Sequence, residues 1–127
     1  MSTIKVDNIR IVSESVSRPV TGVAAVWVNF DGTTATAPSD MAGVRDSLNI
    51  SGIVDNQKGN YTANYINNMA SNGYSPSCWA NANKFSDAFA TGGNIPTTSS
   101  TTLRVNNSAF DATDSDVVCL SIHGDLA

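Results

Sequence analysis

Six segments of this chain alternate apolar and polar residues with a period of two, and their polar positions carry Asn, Ser and Thr in place of charges. Val23-Ala-Ala-Val-Trp-Val-Asn-Phe30 and Val44-Arg-Asp-Ser-Leu-Asn-Ile-Ser51 show the pattern most clearly. Successive side chains of a strand point to opposite faces, so each such segment has one buried face and one wetted face. Uncharged hydroxyls and amides on the wetted face bond to one another across strands and subunits. They also meet sugars without a large desolvation cost. The pattern predicts an all-β fold, an antiparallel β-sandwich or jelly-roll-like domain with an extended N-terminal arm. It points to display or assembly rather than to an enzyme.

The bulk numbers narrow the partners. A chain of 127 residues fits one domain with one modest core. Asn, Ser and Thr make up a third of it, while 14% is charged and the net charge is −4. Seven scattered Lys and Arg residues form no basic stripe, which argues against nucleic acid as a partner. No segment approaches the roughly 20 apolar residues of a membrane span. Met1-Ser-Thr-Ile-Lys-Val-Asp lacks the layout of a secretory signal, so folding in a cytoplasm is expected. Cys78 and Cys119 are then expected to stay thiols. A bridge between them stays open, because the spacing of two cysteines says nothing about geometry.

Residues 1–19 are read as a docking arm and linker, and residues 20–127 as the β-sandwich domain. Ile4, Val6, Ile9 and Ile11 give an apolar rhythm too short to bury itself, so the arm docks on a neighbour or pairs at an edge. Ala24, Val26, Val28 and Phe30 share one strand face, with Trp27 on the other. Leu48 and Ile50 are expected to point inward, with a bulge at Gly52. Residues 55–60 form a hairpin loop whose Gly59 suits positive φ, and Tyr61, Ala63 and Tyr65 alternate back along the partner strand. Residues 67–93 are the least legible, with a short helical turn possible over 80–90. Residues 103–107 and 117–123 are strands, the last apolar enough to lie centrally in its sheet.

Candidate chemistry is sparse. The single histidine, His123, has no nucleophile elbow to serve and is read as an outward or interface residue, open to a pH-sensitive role. Asp111, Asp114 and Asp116 lack the glycine and distant glutamate of a calcium loop, so they are read as turn aspartates that cap backbone amides; no metal and no cofactor is expected. Glu14 is the only glutamate, so no carboxylate pair for glycoside hydrolysis can be chosen and no catalytic residue is assigned. One of Arg45 and Asp46, on alternate faces of a strand, is expected to face the core or a subunit contact. Tyr74, Trp79 and Phe85 stand among Asn and Ser. That is the mixture of ring face and amide donors a carbohydrate site requires, but more often such rings plug the end of a domain or a subunit contact. These three are the candidate ligand-binding residues.

Three ordered blocks also resemble a module of tail-fibre proteins from tailed bacteriophages of marine and aquatic bacteria. They are Val26-Trp-Val-Asn-Phe-Asp-Gly-Thr, Val44-Arg-Asp-Ser-Leu-Asn-Ile-Ser and Asp55-Asn…Gly59-Asn-Tyr-Thr-Ala-Asn-Tyr65. The opening Ser2-Thr-Ile-Lys-Val-Asp-Asn-Ile9 and the closing Asp116-Val-Val-Cys-Leu-Ser-Ile-His-Gly124 are similar to the ends of such fibres. Residues 34–43 are an insertion relative to the family pattern. The resemblance implies a virion structural protein assembled in the host cytoplasm. It would be a homotrimeric short tail fibre or host-recognition appendage, bound to other virion proteins through its arm and in contact with a host surface glycan. A capsid decoration or tail-adaptor protein is the second reading.

Overall fold

The computed structural model describes residues 8–9, 18–19, 24–34, 40–81, 88–89, 96–107 and 109–127. Its strands in chain order are β1 (Asn8–Ile9), β2 (Arg18–Pro19), β3 (Ala24–Phe30), β4 (Val44–Leu48) and β5 (Ile50–Gln57), then β6 (Asn60–Tyr65), β7 (Ser75–Asn81), β8 (Ala88–Phe89), β9 (Ser100–Val105) and β10 (Val117–His123). Two four-stranded antiparallel sheets pack together as a sandwich: β4-β3-β10-β7 and β5-β6-β9-β8. No helix occurs among the described residues, so the helical turn expected over 80–90 is replaced, where described, by the end of β7 and by β8. Of the expected arm, β1 and β2 form a separate two-stranded ribbon, with Asn8 opposite Pro19. The rest of residues 1–19 lies outside the described residues.

The alternating segments fall where their period demands. Val26, Val28 and Phe30 of β3 and Val118, Leu120 and Ile122 of β10 are buried at 2% exposure or less, while Trp27 lies on the opposite face. Across the interior, Ile53, Tyr61, Ala63 and Leu103 of the second sheet are completely buried. β10 sits between β3 and β7, the central place expected from its apolar run. Burying such side chains is worth roughly 1.5–3 kcal/mol each before entropy is set against it.

The corner between the sheets is where alternation misleads. Leu48 and Ile50 were expected to share the inner face, yet Leu48 is 46% exposed and Ile50 is 4% exposed. Asn49, at φ 59°, turns the chain between them. That left-handed residue ends β4 in one sheet and starts β5 in the other, so the period of two does not run through it. Its amide side chain clamps residue 67: Oδ1 accepts the Asn67 backbone N–H at 2.7 Å, and Nδ2 donates to the Asn67 carbonyl at 3.0 Å. Beyond the corner the expected bulge appears, with the β5–β6 register shifting between Ile50 and Gly52. The hairpin closes through Lys58 and Gly59, the glycine at φ +66°. A Cβ there would lie 2.5 Å from the Val105 carbonyl oxygen, so both conformation and space require glycine.

Phenol hydroxyls join the two sheets at both ends of the core. At one end Tyr61 donates to Asp114 Oδ1 at 2.7 Å and approaches the Gly32 carbonyl at 3.2 Å, while its ring meets Phe30 edge-on at 5.2 Å. The same carboxylate oxygen accepts the Gly59 N–H at 2.7 Å. At the other end Tyr65 donates to Thr101 Oγ1 at 2.6 Å, and Thr101 shares its hydroxyl with Tyr74. Tyr74 in turn reaches the Thr97 and Ser100 carbonyls at 2.9 and 3.0 Å. The chain of hydroxyls thus ends on backbone acceptors and leaves no phenol proton unplaced.

Two outcomes follow. Asn49→Ala loses the clamp and, with it, asparagine's tolerance of the left-handed region, costing about 2 kcal/mol in urea unfolding, whereas Asn49→Gly, which loses the clamp but suits that region, costs about half as much. Burial holds the Tyr61 and Tyr65 phenols far above the ordinary tyrosine range, with Asp114 adding to the rise at Tyr61. Their folded pKa values are raised, so their contribution is intact below about pH 10 and is lost progressively above it, as unfolded tyrosines ionise. Tyrosinate absorbance and loss of β circular dichroism should therefore rise together in alkaline titration.

Candidate interaction surfaces

The outer face of the first sheet carries a diagonal apolar band. Strand register places Leu48 opposite Trp27 and Cys119 opposite Trp79 one row away, so the band crosses β4, β3, β10 and β7 in turn. Leu48 and Trp79 are 46% and 48% exposed, and Trp27 is half-buried. From strand spacing and rise, the Trp27 and Trp79 backbones are about 12 Å apart. Ser77 and Ser121 fill one side of the band, while Asn29, Arg45 and Asp46 fill the other. A large apolar residue standing in water on a sheet face marks a contact surface more often than a lone surface residue does.

Among the described residues, Arg45 is the cation held beside that band. The β3–β4 register slips between Asn29 and Phe30, and the resulting bulge turns Arg45 outward, so neither it nor Asp46 takes the core position, one of the two places expected for them beside a subunit contact. Its guanidinium donates to Asn29 Oδ1 at 3.1 Å and to the Asp116 carbonyl at 2.5 Å, and lies 3.6 Å from the Asp31 carboxylate. The Thr33 hydroxyl, and to a smaller degree its backbone N–H and Arg45, hold the Asp31 carboxyl below its usual range. Asp46 is exposed and caps the Ser47 N–H.

The outer face of the second sheet differs in kind. Thr62 and Thr102 hydroxyls lie 3.2 Å apart across β6 and β9, and Asn56 donates to Thr62 at 2.9 Å. Asn64 stands opposite Ser100, and Asn60 opposite Arg104. Hydroxyls and amides therefore satisfy one another across the strands, with Val54, opposite Thr62, an apolar residue among them.

Of the candidate ligand residues, Tyr74 and Trp79 are not brought together. Tyr74 is 9% exposed and its hydroxyl is committed to the core network, so it serves as a plug and not as a platform. Trp79 is exposed on β7, on the outward row with Ser75 and Ser77. Phe85 lies outside the described residues. Trp27 and Leu48 are the neighbours of Trp79 that the sequence reading did not group with it, although the strand register supplies them. Asp114, read as a capping aspartate, caps Gly59; Asp111 and Asp116 contribute main-chain carbonyls to Asn107 and Arg45. Among the described residues no three potential metal ligands converge on one point.

The two thiols face opposite ways. Cys78 packs against the core, while Cys119 stands on the outer face, opposite Trp79. They occupy neighbouring strands but opposite sides of one sheet, so they cannot bridge within the molecule. Burial raises the Cys119 pKa, an effect that Arg45 only partly offsets.

At the end of the sandwich where β10 finishes, a cleft of about 390 Å³ lies between residues 70–75 and 123–125. His123 is exposed on its rim, its Nε2 3.5 Å from the Ser121 hydroxyl. No family model, curated protein or solved structure matches this chain.

The different commitments of the two aromatics are measurable. Tyr74→Ala removes a buried ring and four hydroxyl contacts, and should cost about 3 kcal/mol or more in urea unfolding. Trp79→Ser should change stability by no more than about 0.5 kcal/mol.

Proposed function

We propose that this protein is a structural component of a tailed-bacteriophage virion, a short homotrimeric tail fibre or host-recognition appendage. The observation that carries the reading is the contrast between the two sheet faces. One offers an apolar band of Leu48, Trp27 and Trp79, and the other offers a satisfied hydroxyl and amide surface. Apolar area left in water favours contact with a protein surface. A hydroxyl and amide face tolerates both water and glycan.

The resemblance supplies the particle. Its blocks fall on β3, on the β4–β5 corner, on the β5–β6 hairpin and on β10, which are the segments that build the core. Residues 1–19 would dock the domain on other virion proteins, and Trp79 with its flanking serines would meet a host surface glycan. Catalysis has no role in the proposal.

Two measurements test it. Native mass spectrometry of the full chain should give a trimer, and labelling of purified particles with an antibody against the chain should place it at the distal tail. Labelling at capsid three-fold positions would transfer the protein to the decoration class. A monomer that degrades host polysaccharide would overturn the proposal.

A further inference from the structure

Asn72-Gly73 is the one asparagine–glycine pair in the sequence, and both residues are exposed. An asparagine side-chain amide is an electrophile, and the backbone nitrogen of the next residue is the nucleophile nearest to it. Asparagine counts among the thermolabile residues for this reason. Other asparagines of the chain are occupied. Asn49 gives Oδ1 and Nδ2 to residue 67, Asn56 donates to Thr62, and Asn107 accepts two backbone N–H groups. The Asn72 side chain forms no hydrogen bond with any described residue.

Its nucleophile is accessible as well. Residues 70–73 are all exposed, between buried Met69 and Tyr74, whose hydroxyl is committed to the core. The Gly73 N–H donates to the Ser71 hydroxyl at 3.2 Å. A bond to an exposed neighbouring hydroxyl opens at little cost, and glycine presents its nitrogen with no Cβ in the way. A Cβ built on Gly73 would have Ser71 Oγ, at 3.6 Å, as its nearest neighbour, so the space around it is open. Asp31-Gly32 shows the opposite case. Aspartate–glycine pairs close the same ring, yet the Gly32 N–H donates to the Ser115 carbonyl at 2.8 Å. A Cβ on Gly32 would lie 2.5 Å from the Tyr61 hydroxyl oxygen, and the Asp31 carboxylate is engaged by Thr33 and Arg45. Both groups of that pair are held.

We infer that Asn72 is a site of spontaneous deamidation, which gives the folded protein a second, more negative form. The Gly73 nitrogen loses its proton to solvent base and attacks Asn72 Cγ. The new C–N bond closes a succinimide ring, and the side-chain nitrogen leaves as ammonia. Water then opens the ring. Attack at Cγ gives aspartate; attack at the main-chain carbonyl gives isoaspartate, with the chain now running through Cβ and Cγ. Either way one amide and one water become one carboxylate and one ammonium, and the net charge of −4 moves one unit further negative. Isoaspartate adds one carbon to the backbone between Ala70, whose N–H is tied to the Asp125 carbonyl at 2.8 Å, and buried Tyr74. Ser71 and Gly73 line the end cleft with His123 and Asp125, so the new charge falls at the lip of that cleft. The reaction requires no partner and is independent of what the domain docks on.

Peptide mapping of the full chain after incubation in mildly alkaline buffer tests this, with fragmentation that separates isoaspartate from aspartate. The peptide holding residue 72 should gain one mass unit, chiefly as isoaspartate, faster than those holding Asn49 and Asn107 and in proportion to hydroxide. Gly73→Ala, at an exposed position with room for a methyl, should slow the reaction about tenfold and leave the chain folded. The same incubation in guanidinium chloride separates the fold from the motif. Unfolding should speed the Asn72 reaction by less than about fivefold, and should release isoaspartate formation at Asp31 that the folded chain suppresses. If folded Asn72 reacts no faster than Asn49, if Gly73→Ala leaves its rate unchanged, or if unfolding speeds it by more than that, Asn72 is not such a site.

Discussion

The sandwich depends on hydroxyl groups that reach from one sheet to the backbone around the other. Side chains of the two sheets meet over a narrow apolar interior, and greasy contact by itself does not select one alignment of two flat faces. Tyr61 starts in the second sheet and ends on Asp114 and Gly32, which flank the first. Tyr74 starts beside the first sheet and ends on Thr97, Ser100 and Thr101, at the start of β9. Hydrogen bonds are directional, and a buried partner left unmade costs about 1–3 kcal/mol. A sliding motion of the sheets would break several at once. The polar network thus specifies what the apolar interior only favours.

That arrangement frees the outer surfaces. Stability resides in the interior and its two plugged ends, so the faces can carry side chains chosen for encounters with other molecules. The two sheets diverge accordingly, one toward indole and leucine, the other toward cross-strand Thr and Asn pairs.

Much of the frame was legible because strict alternation is a geometric signal. β3, β6 and β10 follow their pattern residue by residue, including Trp27 outward, and Gly59 holds the expected positive φ. Legibility failed where a local conformation interrupts the period. Asn49 resets the phase, and the β3–β4 bulge turns Arg45 outward; neither event leaves a mark in the order of apolar and polar residues. β7 escaped notice because its positions hold Ser75, Pro76 and Ser77, which resemble a loop. An edge strand tolerates that proline because its outer amides need no ladder partner. Tyr74 drew a ligand reading beside the plug reading for a related reason. Its neighbours in sequence are polar, but its partners lie more than twenty residues away, at Thr97, Ser100 and Thr101. The surface band was half legible: Trp79 stood out, while Trp27 and Leu48 join it only through strand register.

The back-to-back thiols have a bearing on what happens in an oxidising medium. A sheet one side chain thick keeps Cys78 and Cys119 apart as firmly as distance would, so oxidation cannot weld a subunit to itself. Any disulfide formed there must span two molecules, recording which of them were neighbours at that moment.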